Sequence, residues 1–371
     1  MNLPLRAWMP WIFFISFFPL GAIFPYLVDD LKQLGVTDFG LLLTLPSMMS
    51  LVAAPLWGLL ADWIGKWSIV MRLATLLASI GLWIMISLGA EFVFLGMLCY
   101  AIGLAPLSPI TDALALEAVK DEPEKYGDLR LWGSVGYMVG SLAVAGIQYL
   151  YNVSAILIGF TMTALFTLMA WGIPEPHQVQ KSDLRKGLYL LFKNQTLLWI
   201  LACAAVHFSV HLANANFLVV HLHALGLGNI WVGLSMAAGI IVEVMVLGNA
   251  KKLLERCTAV EIFQMAAGLA IFRWIGMAVF KSSTLIVLTQ ASHGLSFGLF
   301  WLAAIHLVKE HTPEEARATG QSLLAASVGG IGASIGVYVA SMIVESYDTI
   351  TMYWTAAGVA LVAYLMTRRI R

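Results

Sequence analysis

Residues 39–66 read FGLLLTLPSMMSLVAAPLWGLLADWIGK. No ionisable side chain stands between Phe39 and Leu60. The run matches the roughly 20 apolar residues a helix needs to cross a bilayer core. It lacks the period-2 alternation of a barrel strand, so a membrane helix is the reading. Asp62, Gly65 and Lys66 follow at once: charges at a water boundary, around a glycine that frees the backbone to turn.

Eleven further runs of this kind can be read outward from that one. Together they cover 8–28, 39–60, 68–88, 92–118, 129–151, 154–171, 196–220, 230–249, 259–280, 285–308, 319–344 and 349–366. These are spans 1–12. The chain of 371 residues is 60% hydrophobic and only 11% charged, which calls for lipid as its solvent. Net charge is zero, so nothing favours a nucleic-acid partner. Cys99, Cys203 and Cys257 suggest neither a disulfide frame nor a metal site. The first apolar run lacks a clear cleavage site and is read as span 1, not as a removed signal peptide.

Orientation follows from lysine and arginine. One side collects Arg6, Lys66, Arg72, Lys120, Lys125, Lys251, Lys252, Arg256, Lys309, Arg317, Arg368, Arg369 and Arg371, with the basic residues of 181–193; the other has only Lys32 and Lys281. The expectation is a multi-pass plasma-membrane protein, of a bacterial inner membrane, with both termini cytoplasmic. A proline-containing, mixed-charge stretch at 173–195 reads as a linker between six-helix bundles at 1–172 and 196–371.

The two halves can be laid over one another. Gly58 falls on Gly248, Asp62 on Lys252, and the start of span 5 on that of span 11. Span 5 has Gly136 and Gly140 four apart; span 11 has Gly332 and Gly336, at a somewhat larger offset. Small residues so spaced let helix backbones approach closely in lipid. Two parallel six-helix repeats form a transporter architecture with its substrate site near the midplane.

Ionisable groups inside apolar runs carry the chemistry. Each costs roughly 2.5–3.5 kcal/mol at mid-membrane on insertion scales, so each should face a partner or a wet cavity. Asp112, Arg130, Glu243, Arg273 and His293 are such groups. Asp112 and Arg130 are equidistant from the centre of their loop and should sit level, as an ion pair. Glu243, Arg273 and His293 are symmetric about their own loops and should converge. Two readings fit each set: structural pairing that fixes helix register, or substrate and proton chemistry. In the second, Glu243 carries the coupling proton and Arg273 and His293 tune it, since burial and a nearby arginine oppose each other at a carboxylate. His293 can change charge near neutral pH.

Weaker polar positions are His207 and His211, one turn apart in span 7, and Asn214 on the same face. Cavity lining or hydrogen bonding between helices is favoured over a metal site for them. Asn216 reads as helix glue, His221 and His223 as interfacial, and Gln264 and Gln290 as cavity donors or glue. Pro106 and Pro109 should break span 4 just before Asp112.

Gly58, Asp62, Gly65 and Lys66, placed between spans 2 and 3, resemble the Gly-x-x-x-Asp-x-x-Gly-Arg/Lys loop of the major facilitator superfamily. That implies the all-α integral membrane fold of twelve helices in two pseudo-symmetric six-helix bundles. In that family the loop gates the cytoplasmic side; Trp63 here stands where a basic residue is common. Gly21-Ala-Ile-Phe-Pro25-Tyr and Tyr126-Gly-Asp-Leu-Arg130-Leu-Trp-Gly-Ser-Val-Gly-Tyr137 look like spans 1 and 5 of lactose-permease-like symporters. Val242-Glu243-Val244, Phe272-Arg273-Trp274 and the His293 helix are similar to the phenylpropionate permease branch. The resemblance implies that Asp112, Arg130 and Tyr137 bind substrate and that Glu243, Arg273 and His293 join proton coupling. Three departures stand out. Ser296 replaces the sugar permease's proton-carrying glutamate, 196–220 has no acid, and span 11 has no lysine.

The expected function is proton-coupled uptake of a small organic solute, with an aromatic carboxylate such as phenylpropionate in the lead. Arg130 and Arg273 would pair its carboxylate bidentately, and Tyr137 and Trp274 would suit its ring. His207 and Asn214 are added as substrate-binding candidates. Sugar or nucleoside symport and metabolite or drug efflux are the alternatives. No enzyme motif appears at useful spacing. No cofactor is expected beyond the proton gradient, and the partners are substrate, protons and lipid around a monomer.

Overall fold

The computed structural model describes residues 5–120, 122, 125–151, 153–174, 194–313 and 317–370, the side chains of 62, 317 and 318 excepted. Every regular element among them is helical. They fall into two compact units; Gly228–Gly233 groups with the first. Most of the expected linker at 173–195 lies outside the described residues, as does the side chain of Asp62.

The first unit holds α1 (Leu5–Ile23), α2 (Leu27–Gln33), α3 (Gly40–Ile64), α4 (Trp67–Ser87), α5 (Val93–Leu104), α6 (Leu107–Ala118), α7 (Tyr126–Tyr151) and α8 (Ala155–Met169). Span 4 is broken at Ala105–Pro106 into α5 and α6, where proline removes a backbone donor. Gly65 ends α3 at φ +68°, its N–H bonded to Ala61 O, the left-handed cap that glycine adopts without strain. Glycines set how closely α1 and α7 approach. A Cβ on Gly136 would lie 2.3 Å from Phe14 O, and one on Gly140 2.2 Å from Phe18 O.

The second unit holds α9 (Gln195–Ala224), α10 (Asn229–Gly248, its start apart), α11 (Ala250–Leu254), α12 (Ala259–Val279), α13 (Ser283–Ala291), α14 (Leu299–Glu310), α15 (Arg317–Ala325), α16 (Ala333–Ser346) and α17 (Thr349–Thr367). Spans 10 and 11 run through π turns at Gly294–Gly298 and Ala326–Gly332. Span 11 meets α9 as α7 meets α1: a Cβ on Gly332 would stand 2.4 Å from Ala205 O, and one on Gly336 2.0 Å from Ser209 O. The two glycine pairs noted in the sequence thus play one packing role, each inside its own unit. Phe263, Phe300, Ile200 and Leu307 form the core beside this contact.

Among the described residues, ten helical stretches are long and apolar enough to cross a membrane. The other two expected spans are α7, 26 residues long and rich in glycine, and α8, of 15 residues. Large apolar side chains face outward, including Phe272 at 73% exposure and Leu168 at 70%. In water such faces would be sticky patches; against acyl chains they are the solvated surface.

Asp30, on α2 beyond the first span, is only 2% exposed. It accepts from Ser154 Oγ and Ile156 N, both at 2.8 Å, and so holds the start of α8. Burial is the main force raising its pKa; these two hydrogen bonds oppose it, and the charge of Asp29 adds to it. A carboxyl that holds its proton more tightly when folded adds stability below its unfolded pKa of about 3.9, and that stability is lost as pH rises through the folded value. The amide of Asp30→Asn accepts the same bonds without titrating. The variant should therefore gain on wild type in unfolding temperature as pH rises above about 4. A difference that stays flat over that rise would refute this.

Candidate functional site

The second unit buries a polar network around Arg273, on α12. Arg273 is 2% exposed, while Phe272 beside it faces outward. The guanidinium donates through Nη2 to Gln290 Oε1 at 2.7 Å, and through Nη1 to His293 Nδ1 at 3.1 Å and Ser296 Oγ at 3.4 Å. It also lies over the Trp274 ring, 4.1 Å from its centroid. Among the described residues no carboxylate comes within 4.0 Å of it. A buried cation with only neutral acceptors carries a desolvation cost that its partners only partly return.

Arginine only donates, so His293 Nδ1 must accept and the ring proton sits on Nε2. That nitrogen faces Glu243 Oε2 at 3.9 Å. The approach is built in: a Cβ on Gly294 would lie 2.1 Å from Glu243 N, and Gly294 opens the π turn of span 10. π turns recur at functional positions because the widened turn redirects side chains. His293 and Ser296, at this turn, both reach Arg273.

On the far side Gln290 Nε2 donates to Asn214 Oδ1 at 2.9 Å, and Tyr353 OH donates to the same oxygen at 2.9 Å. Tyr353 stacks on Trp274, and His211 meets Trp274 edge-on. His207 is wholly buried, its Nε2 on Ser296 O at 3.1 Å, and its carbonyl accepts from His211 Nδ1 at 3.1 Å. The neighbouring rings are Phe263 and Phe300.

In the first unit Asp112, on α6 after the proline break, accepts from Tyr126 OH at 3.0 Å and Ser108 Oγ at 3.4 Å. Arg130, on α7, lies over Phe17 with its Cζ 4.4 Å from the centroid. The ion pair expected from their matched depth does not form, since no contact within 4.0 Å joins them. Equal depth fixes height along neighbouring helices but not rotation about each axis, and Tyr126 takes the carboxylate. Tyr137, two turns further along α7, lies half-buried, its backbone against Gly21.

The convergence expected for the other three is met in a chain: Arg273 to His293 to Glu243, without direct Arg273–Glu243 contact. His207 and Asn214, expected to bind substrate, are buried in the second unit and hydrogen-bond to Ser296 O and Gln290 Nε2. Asn216 bonds back to Leu212 O, as helix glue does. His221, read as interfacial, is instead buried, its Nδ1 2.8 Å from Thr349 Oγ1. Tyr353 was not singled out in the sequence. Its signal is a phenol in an apolar span, where a buried hydroxyl needs a partner.

The model of the MFS_1 like family matches residues 7–355. The chain is 27% identical to the maltose permease of Geobacillus stearothermophilus, over 98% of this chain and 94% of that one. It is 26% identical to the probable 3-phenylpropionic acid transporter of Escherichia coli (strain K12), over 100% and 99% of the two chains. The crystal structure of nucleoside transporter NupG covers 99% of each chain with a TM-score of 0.86 at 18% identity, a likeness of fold. Matched over nearly all its length by that family model and by relatives named as permeases and transporters, the chain belongs to the MFS_1 like family and is a membrane transporter of the major facilitator type, not an enzyme.

Proposed function

We propose that this transporter couples the inward flow of protons to uptake of a small aromatic carboxylate. The observation that carries the reading is Arg273: buried, stacked on Trp274, and hydrogen-bonded only to neutral groups. A solute carboxylate supplies the missing charge, and the surrounding Trp, Tyr and Phe rings suit an aromatic body. Asp112, Arg130 and Tyr137 are assigned to the solute from the first unit. Glu243 is assigned the coupling proton, with His293 relaying its state to Arg273. Asp62 and Lys66, with Gly58 and Gly65, are assigned the cytoplasmic gate. Twelve spans, cytoplasmic termini, a bacterial inner membrane and a monomer complete the proposal; the proton gradient is the energy source and no cofactor is required. The 3-phenylpropionic acid transporter among the relatives supports the solute class.

Proteoliposomes provide the test. Wild type should accumulate 3-phenylpropionate when a pH gradient is imposed. Glu243→Gln should abolish that accumulation yet keep exchange of internal for external solute, which moves no net proton. Full gradient-driven accumulation by Glu243→Gln would remove Glu243 from coupling. The second reading, sugar or nucleoside symport, draws on the maltose permease relative. A neutral sugar that competes for transport where the aromatic acid fails would establish it instead.

A further inference from the structure

We infer that Gln290 is the residue that makes the site selective for anions: it engages Arg273 through a neutral amide, locked in that orientation by Asn214 and Tyr353, and so leaves the guanidinium charge uncompensated for the solute. The inference rests on the reading of Arg273 as the group that meets the solute's carboxylate.

The polarity of the whole strut follows from one donor-only group. Arg273 offers N–H bonds and nothing else, so Gln290 must turn Oε1 toward it. The Gln290 amide nitrogen is then aimed at Asn214, which must present its own oxygen. That oxygen takes a second donor, the Tyr353 hydroxyl. Gln290, Asn214 and Tyr353 come from spans 10, 7 and 12, so three helices fix one amide. Gln290 is itself 2% exposed, and its nitrogen also lies 3.4 Å from Met277 Sδ. Nothing along this strut carries a negative charge. Its contact to Arg273, at 2.7 Å, is where a carboxylate of nearly the same shape would close an ion pair.

Gln290→Glu makes that change. The new carboxylate can be accommodated by reversing the strut: Asn214 flips its amide, donates to the carboxylate, and offers its other N–H to the Tyr353 oxygen. Arg273 is then neutralised by the protein, and an anionic solute meets no net positive charge. Tyr353→Phe acts more gently, by removing one of the two donors that hold Asn214.

The experiment uses the purified full-length protein, its unfolding temperature, and two probes: 3-phenylpropionate and its neutral amide, 3-phenylpropanamide. Without ligand, Gln290→Glu should unfold at a higher temperature than wild type, because it pairs a buried charge. Its affinity for the carboxylate should fall at least roughly tenfold relative to its affinity for the amide, the scale of one charge-assisted hydrogen bond. Tyr353→Phe should shift the same ratio by roughly threefold. A residue that merely packs would move both probes alike. An unchanged ratio in both variants, or a lower unfolding temperature for ligand-free Gln290→Glu, overturns the inference. If Gln290→Glu does not fold, the ratio in Tyr353→Phe decides. Wild type that binds neither probe defeats the carboxylate reading of the function; the ligand-free shift of Gln290→Glu then decides the inference separately, a rise supporting it and no rise overturning it.

Discussion

Gly336→Leu should leave no folded protein. The Cβ of any replacement would lie 2.0 Å from Ser209 O, 2.5 Å from its carbonyl carbon and 2.7 Å from its Cα. These are backbone atoms of α9, so no rotamer change relieves the contact and whole helices must part. Overpacking a core typically costs about 1–3 kcal/mol where side chains can adjust. Here the cost should exceed that range and reach a large part of a typical net stability of about 5–15 kcal/mol. Gly358→Leu is the matched control, since nothing lies within 4 Å of a Cβ built there. Size-exclusion profiles of detergent-solubilised protein read the difference: a monodisperse peak for Gly358→Leu and aggregate or no protein for Gly336→Leu. A normal peak for both would mean that α9 and α16 are not in backbone contact.

Arg273→Gln should separate stability from function. The guanidinium is buried among neutral acceptors, and desolvating such a charge costs several kcal/mol that neutral groups only partly return. Replacing it with an amide removes that cost, so the variant should unfold at a temperature no lower than wild type. Binding of 3-phenylpropionate should nevertheless weaken by about a hundredfold or more, given the roughly 3–5 kcal/mol lost when one partner of a buried ion pair is removed. A purely structural arginine would behave the other way, with a falling unfolding temperature and little change in affinity among molecules that still fold. Unchanged affinity in a stable variant would remove Arg273 from solute binding altogether.

Much of the architecture could be read from hydropathy, because a bilayer allows few solutions for a backbone that must satisfy its own hydrogen bonds. The left-handed Gly65, the break before Asp112 and the close glycine contacts are local consequences of residue type and were legible for that reason. The meeting of Arg273 and His293 was legible too, since hairpin symmetry sets their depth. Depth alone did not give a direct ion pair between Asp112 and Arg130, because equal height leaves rotation about each axis free and a nearby phenol takes the carboxylate. Tyr353 was hidden, and Gln290 was left between cavity donor and glue, for another reason. A neutral polar side chain in a span can bond to almost any neighbouring helix, so in a sequence a strut looks the same as incidental helix glue. The deep burial of His221 was likewise invisible, since a span's outer end offers both lipid headgroups and protein as neighbours.

The widened turn at Gly294–Gly298 bears on how span 10 can be aligned with its counterparts. A turn of this kind accommodates one surplus residue, whereas a regular helix advances about 100° per residue. A relative lacking the surplus matches span 10 only if a single gap is placed inside these five positions. Put the gap beyond them and each position between Leu299 and the gap inherits a neighbour's identity from the wrong side of the helix. The pairing of Ser296 with the symporters' glutamate hinges on that one placement.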